Sequence, residues 1–223
     1  MSELSYVSFM KIDIVSDTVC PWCFIGKRKL EEALAQRPDM DVEITWRPFQ
    51  LHPDMPLEGA DRKEFIAQKF GSHERAKELY ANVKMAGDAV DIPFNFDKIE
   101  RSPNTLDSHR LLRWSETAGC QDAIAEILFR RFFIDGEDLG DRSILIAAAT
   151  EAGMDHELVS ELLENDADLE TVRQEDQMAR QMGVSGVPFF IIDDKYALSG
   201  AQDPAAFLAA FDQVEADKAK ENK

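Results

Sequence analysis

With 223 residues, 44% of them hydrophobic and 9% aromatic, the chain can bury one large core or a domain carrying a sizeable insertion. Its 43 acidic against 25 basic residues leave a net charge of −18, which argues against a nucleic-acid partner and against anionic membranes, since both require basic faces. No apolar run approaches the ~20 residues of a membrane span.

Residues 1–10 lack the cationic-then-apolar order of a secretory signal, so a cytoplasmic protein is expected. Residues 1–8 read as a loose leader. Residues 11–16 are β-branched and apolar and predict a first strand. Asp17 and Thr18 turn the chain into Cys20-Pro21-Trp22-Cys23. Residues 23–36 then carry Leu30, Ala33 and Leu34 at helical spacing among good helix formers, and Arg37-Pro38-Asp39 ends that helix. Residues 42–47 alternate apolar and polar and predict a second strand. Strand, helix, strand at this spacing predicts a parallel pair with a right-handed crossover. The prolines of residues 48–59 exclude regular structure there. His52, between Leu51 and Pro53, reads as a structural or exposed loop histidine, with acid–base work the lesser alternative.

From 60 to 182 the pattern is helical. Asp61 caps a helix running to Gly71, and residues 74–87 place Leu79, Val83 and Ala86 on one face. Residues 90–96 form an apolar linker. Asn104 is the expected cap of a helix with Asp107 in its first turn, continuing to Ala118 and stopped by Gly119. Residues 121–133 present Ile124, Ile127, Leu128 and Phe132 as one stripe; shorter helices follow over 144–152 and from Asp155 to Leu163, then a polar helix over 168–182 ended by Gly183. Strand character returns at 187–192, turns at Asp193-Asp194, and continues over 195–200 as a hairpin. Asp203 caps a last helix with Pro204 in first position and Phe207, Leu208 and Phe211 on its buried face; 215–223 reads as a charged, frayed tail. The organisation is a split α/β domain, βαβ then ββα, over residues 1–59 and 183–223, interrupted by a helical insertion over 60–182.

The cysteines carry the chemistry. A Cys-x-x-Cys at the junction of a strand and a helix sits where free backbone N–H groups and the helix dipole favour a thiolate. Cys20, nearer the loop, is expected to be the nucleophile and Cys23 the resolving thiol. Pro21 does not block the helix, because a first-turn position has no N–H partner to lose. Half of a zinc site is the first alternative, but zinc takes four ligands and the chain adds only Cys120 and isolated histidines, so no metal is expected. Two inert buried cysteines are the second alternative; a strand–CxxC–helix context favours a redox pair. Cys120 reads as a bystander thiol. Pro188 opens a strand, where proline is tolerated.

Four stretches together resemble the thioredoxin superfamily, and within it the DsbA-like family with an inserted helical domain, FrnE-like branch. They are Ser16–Gly26 around the cysteines, Arg47-Pro48-Phe49-Gln50-Leu51, Arg101–Arg110, and Gly183-Val184-Ser185-Gly186-Val187-Pro188-Phe189-Phe190. The resemblance implies a thioredoxin-like α/β fold with an all-helical insertion and dithiol–disulfide exchange at Cys20 and Cys23. It implies a cis Val187–Pro188 bond packed against the cysteines, with Val187 free to pair with an extended substrate. Pro21, Trp22, Val187, Pro188 and His109 are the implied substrate-binding residues, His109 lying in a segment that faces the active site from the helical insertion, with a solvent-exposed or core-satisfied histidine the equal alternative there. The dipeptide Pro-Trp replaces the Pro-His of periplasmic DsbA, so the histidine that stabilises the thiolate there is missing. Protein or peptide disulfides are the implied partners, with glutathione as a co-substrate, no other cofactor, and a monomeric or homodimeric state. Glutathione-dependent isomerases and kappa-class transferases share the family but carry a serine near the first cysteine; such an isomerase or transferase is the alternative function. A thiol-dependent chaperone or peptide-binding module is a third.

Overall fold

The computed structural model describes residues 9–221. Strands β1 (Met10–Ser16), β2 (Val42–Pro48), β5 (Phe189–Ile192) and β6 (Tyr196–Ser199) form one sheet in the order β2-β1-β5-β6. β1 pairs in parallel with β2, Ile12 opposite Ile44, and antiparallel with β5, Ile14 opposite Phe190. The two ends of the chain therefore meet in one sheet, with β1 central and buried along nearly its whole length. The β5–β6 hairpin turns through Asp193 and Asp194, both with positive φ (53° and 54°), as a tight hairpin turn demands.

Helix α1 (Pro21–Ala35) crosses between β1 and β2. It begins at Pro21, two residues before the expected start, because proline's fixed φ suits the first helical position; Cys20 is thereby the N-cap. The chain then runs through β3 (Ala60–Asp61), α2 (Arg62–Phe70), α3 (His73–Asp88), β4 (Arg101–Ser102), α4 (Leu106–Thr117), α5 (Gln121–Arg130), α6 (Arg142–Glu151), α7 (His156–Glu164) and α8 (Leu169–Gln181) before re-entering the sheet; α9 (Pro204–Glu221) closes it. The two-residue β3–β4 ladder was not legible in the sequence. Asp61 and Asp155 cap their helices as expected, accepting from Glu64 N and Leu158 N.

Several expectations are corrected. The N-cap of α4 is Thr105, and Asn104 one residue earlier accepts from Leu106 N at 2.9 Å while donating to Met55 O at 2.6 Å, so it also ties down the proline-rich loop. The stripe over 121–133 ends in a wider turn over Arg131–Asp135, stopped by Gly136 in the left-handed region. Residues 90–96 are no mere linker: Ile92 and Phe94 are buried in the core. Leu79 is exposed rather than inward-facing. Residues 215–221 continue α9, because Lys218 bridges to Asp193 (2.8 Å) and Lys195 to Glu221 (2.5 Å); residues 222–223 and the expected leader over 1–8 lie outside the described residues.

The core runs continuously from the sheet into the helices, and α1 is its hinge-pin. On one face Gly26 lets the helix close on the sheet; a Cβ there would stand 3.0 Å from both Phe190 Cζ and Pro188 Cγ. On another face Phe24 stacks on Phe129 of α5 (5.1 Å between centroids) and meets Phe94 edge-on (6.1 Å). Each such ring buries roughly 150–250 Å², several kcal/mol of hydrophobic stabilisation, so the N-terminus of α1 is held from both sides.

Candidate active site

The site grows from the N-cap of α1. Cys20 has extended backbone (φ −95°, ψ 111°) and its side chain makes no capping bond, which leaves the sulfur free. Its N–H donates to Asp17 O (3.0 Å), and the Cys23 N–H donates to Cys20 O (3.0 Å), closing the first turn. Both thiols are free; Cys20 is 3% exposed and Cys23 fully buried. Burial pushes the Cys23 thiol well above its ordinary range, and contact with the Cys20 sulfur adds to this, whereas the Ser16 hydroxyl and the Asp17 backbone act the other way. The Val187–Pro188 bond is cis, and Cys20 Sγ lies 3.6 Å from Val187 O, within reach of a thiol hydrogen bond.

Above Cys20 opens a cleft of about 390 Å³. Pro21, Trp22 and Val187 line it, and Trp22 is 40% exposed at its edge. The opposite wall comes from α2 and α3 and is apolar except for Arg62, Lys69, Tyr80 and Asn82. Lys69 Nζ lies 2.8 Å from His52 Nε2, and Arg62 donates to Tyr80 Oη at 2.8 Å. Burial pushes Lys69 down, opposed by the negative charge of a Cys20 thiolate; burial and then the Lys69 charge push His52 down. Pro188 is buried beneath, against α1, rather than lining the cleft. Among the described residues no group of three His, Cys, Asp or Glu side chains is placed to hold a metal ion.

The other implied residue, His109, does not line this cleft. It is 3% exposed and its Nε2 faces Asp17 Oδ1 at 3.5 Å, the two atoms otherwise without partners. Asp17 Oδ2 accepts from Leu51 N (2.7 Å), so the same carboxylate braces the Cys20 turn, the loop after β2 and helix α4. Thr18 and Ser108 add a second tie at 2.8 Å. His109 thus holds the active-site turn from behind.

Residues 11–212 match the DSBA-like thioredoxin domain. The chain belongs to the DSBA-like thioredoxin family. Its fold is similar to that of a probable DsbA oxidoreductase from Streptomyces coelicolor, with 33% identity, 92% of this chain and 89% of that one covered, and a TM-score of 0.83. It also resembles 2-hydroxychromene-2-carboxylate isomerase (14% identity, 94% and 98% covered, TM-score 0.67). A third similar fold is the cytosolic disulfide reductase DsbM from Pseudomonas aeruginosa, solved with glutathione (16%, 95% and 98%, TM-score 0.60). The chain carries the DsbA-like thiol-oxidoreductase fold, and no described helix is long and apolar enough to cross a membrane.

On this DsbA-like frame the structure brings together the cysteine pair and Val187-Pro188, which the sequence singles out. Sequence reasoning missed Lys69, Arg62 and Tyr80, because helical spacing alone does not reveal which face of α2 and α3 turns toward a cysteine some 50 residues earlier. It also read Asp17 only as a turn residue. A buried aspartate just before the cysteine motif has a detectable signal only in the hydrogen bonds its carboxylate makes.

Proposed function

We propose that this protein is a thiol–disulfide oxidoreductase working through Cys20 and Cys23. One observation carries the reading: Cys20 is a free thiol at a helix N-cap beneath a cleft, and Cys23 is sealed one turn behind it. The Cys20 thiolate attacks a disulfide R–S–S–R′; a Cys20–S–S–R bond forms and R′–S⁻ leaves. The Cys23 thiolate then attacks the Cys20 sulfur, R–S⁻ leaves, and the cysteines end as a disulfide, two electrons having passed to the substrate. Reduction by a thiol such as glutathione resets the pair, and the reverse sequence oxidises a dithiol. The exposed Trp22 and Val187 border the space a protein or peptide disulfide enters, with Pro21 lining it and the buried Pro188 and His109 supporting it from behind. Residues 60–182 act as a helical cap on the thioredoxin-like part formed by 1–59 and 183–223. We infer a cytoplasmic setting, a glutathione-class reductant and a monomeric or homodimeric state; the first two are in line with the cytosolic DsbM solved with glutathione.

A second reading, a glutathione-dependent isomerase or transferase, draws on the small, cation-bearing cleft and on the likeness to the chromene-carboxylate isomerase. Insulin reduction with glutathione, run beside a glutathione-conjugation assay, separates the two. Loss of insulin reduction in both Cys20→Ser and Cys23→Ser supports exchange. Conjugation that needs neither cysteine refutes it.

A further inference from the structure

The cleft over Cys20 runs against the charge of the whole chain. Of 223 residues 43 are acidic, yet among the described residues no acidic side chain lines this cleft, while Arg62, Lys69 and His52 do. Arg62 is committed elsewhere: it donates to Tyr80 and lies over the Tyr80 and Phe132 rings at 5.5 and 5.9 Å. An arginine also holds its proton throughout the pH range of proteins. Lys69 differs on the second count, because a partly buried lysine can release its proton. Its ammonium sits at the rim, 5.4 and 5.8 Å from the Phe70 and Phe65 ring centroids, and bonds His52 Nε2. With Lys69 as the ammonium, which only donates, Nε2 accepts and the His52 ring carries its proton on Nδ1. That ring is fixed edge-on against Phe65 at 4.8 Å.

We propose that Lys69 is the cation that pairs with the Cys20 thiolate and the acid that protonates the departing thiolate, with His52 as the positioning residue that aims it. The proposal rests on the exchange reading above. As the Cys20 sulfur bonds to R–S, the R–S–S–R′ bond breaks and its electron pair leaves on R′–S⁻. The Lys69 ammonium gives that sulfur one proton, so R′–SH departs and a neutral amine remains. The amine regains a proton from water or from the next Cys20 thiol. Burial favours this release, since it disfavours the ammonium. The charged and titratable groups that share the cleft with Lys69 are Cys20 at the N-cap of α1, His52 after β2, Arg62 of α2 and Tyr80 of α3, and the buried Asp17 carboxylate acts on it from behind the turn. Lys69 supplies from α2 the positive charge that the Pro-Trp dipeptide lacks.

The test reads Cys20 directly, by mass spectrometry of the full-length reduced protein alkylated between pH 5 and 9. With neutral iodoacetamide, Lys69→Met is expected to alkylate Cys20 roughly tenfold more slowly than wild type at pH 6. Anionic iodoacetate should lose more than iodoacetamide. Lys69→Arg keeps the charge and should keep the alkylation profile, yet turn over slowly with poorly acidic leaving thiols. His52→Ala should shift the profile part of the way. A Lys69→Met profile that superimposes on wild type overturns the proposal, as does equal loss in Lys69→Met and Lys69→Arg. Because alkylation needs no turnover, the result stands even if insulin reduction fails and the exchange reading falls.

Discussion

In the exchange reaction proposed above, Cys23 must ionise to resolve a mixed disulfide, and its surroundings resist this. It is fully buried, and burial holds its thiol well above the usual range. Only a small minority of molecules then carry the Cys23 thiolate at neutral pH. Release of a thiol from a Cys20 mixed disulfide should therefore accelerate about tenfold per pH unit between pH 6 and 8. The Ser16 hydroxyl is a side-chain partner that favours the Cys23 anion. A hydrogen bond to a charged group is worth about 1.5 kcal/mol, so Ser16→Ala should slow release by roughly a factor of ten at every pH. The assay is stopped-flow absorbance of thionitrobenzoate leaving Cys20, in a Cys120→Ser background. A release rate flat across this pH range would refute the reasoning, and so would an unchanged rate in Ser16→Ala. The same burial sets a stability trend for the reduced protein. Below about 8.5 the thiol is neutral folded and unfolded; above it the unfolded chain ionises first, so stability falls as pH rises toward the folded pKa.

Gly26→Val should destabilise the protein by about 1–3 kcal/mol in urea titration, since even a Cβ there meets Phe190 and Pro188 at 3.0 Å. Wild-type stability in that variant would mean α1 can shift on the sheet. Cys120→Ser should leave insulin reduction within about twofold of wild type, because the thiol stands at the N-cap of α5, outside the cleft. A tenfold loss with the fold intact would make it a third redox thiol. Burial alone would raise Glu126, but Arg28 and then Lys27 outweigh it and hold the carboxyl below its usual range. That contribution is present above the unfolded value near 4.3 and is lost as pH falls through the folded one, so Glu126→Gln should flatten the acid side of the stability curve. An acid limb identical to wild type would show that the pair contributes nothing.

What the sequence discloses and what it conceals follow from the range of the interactions involved. β1, α1, β2 and the closing hairpin were legible because their periodicity is local, and the cysteine pair because its spacing is. The Pro21 start of α1 was legible in kind but placed two residues late. The order of the last helix was not, since α9 survives to Glu221 through Lys218, Lys195 and partners across the hairpin. The site divides in the same way. Its thiols come from one short motif, but its brace and its charge come from contacts across the chain: Asp17 to His109 spans 92 positions and His52 to Lys69 joins a loop to α2. A cleft whose proposed nucleophile is written in one turn and whose cations are delivered by a separate helical segment can keep its cysteine pair while the opposite wall changes. It follows that substrate preference in this chain should respond to substitutions in α2 and α3 more than to substitutions in the sheet that carries the cysteines.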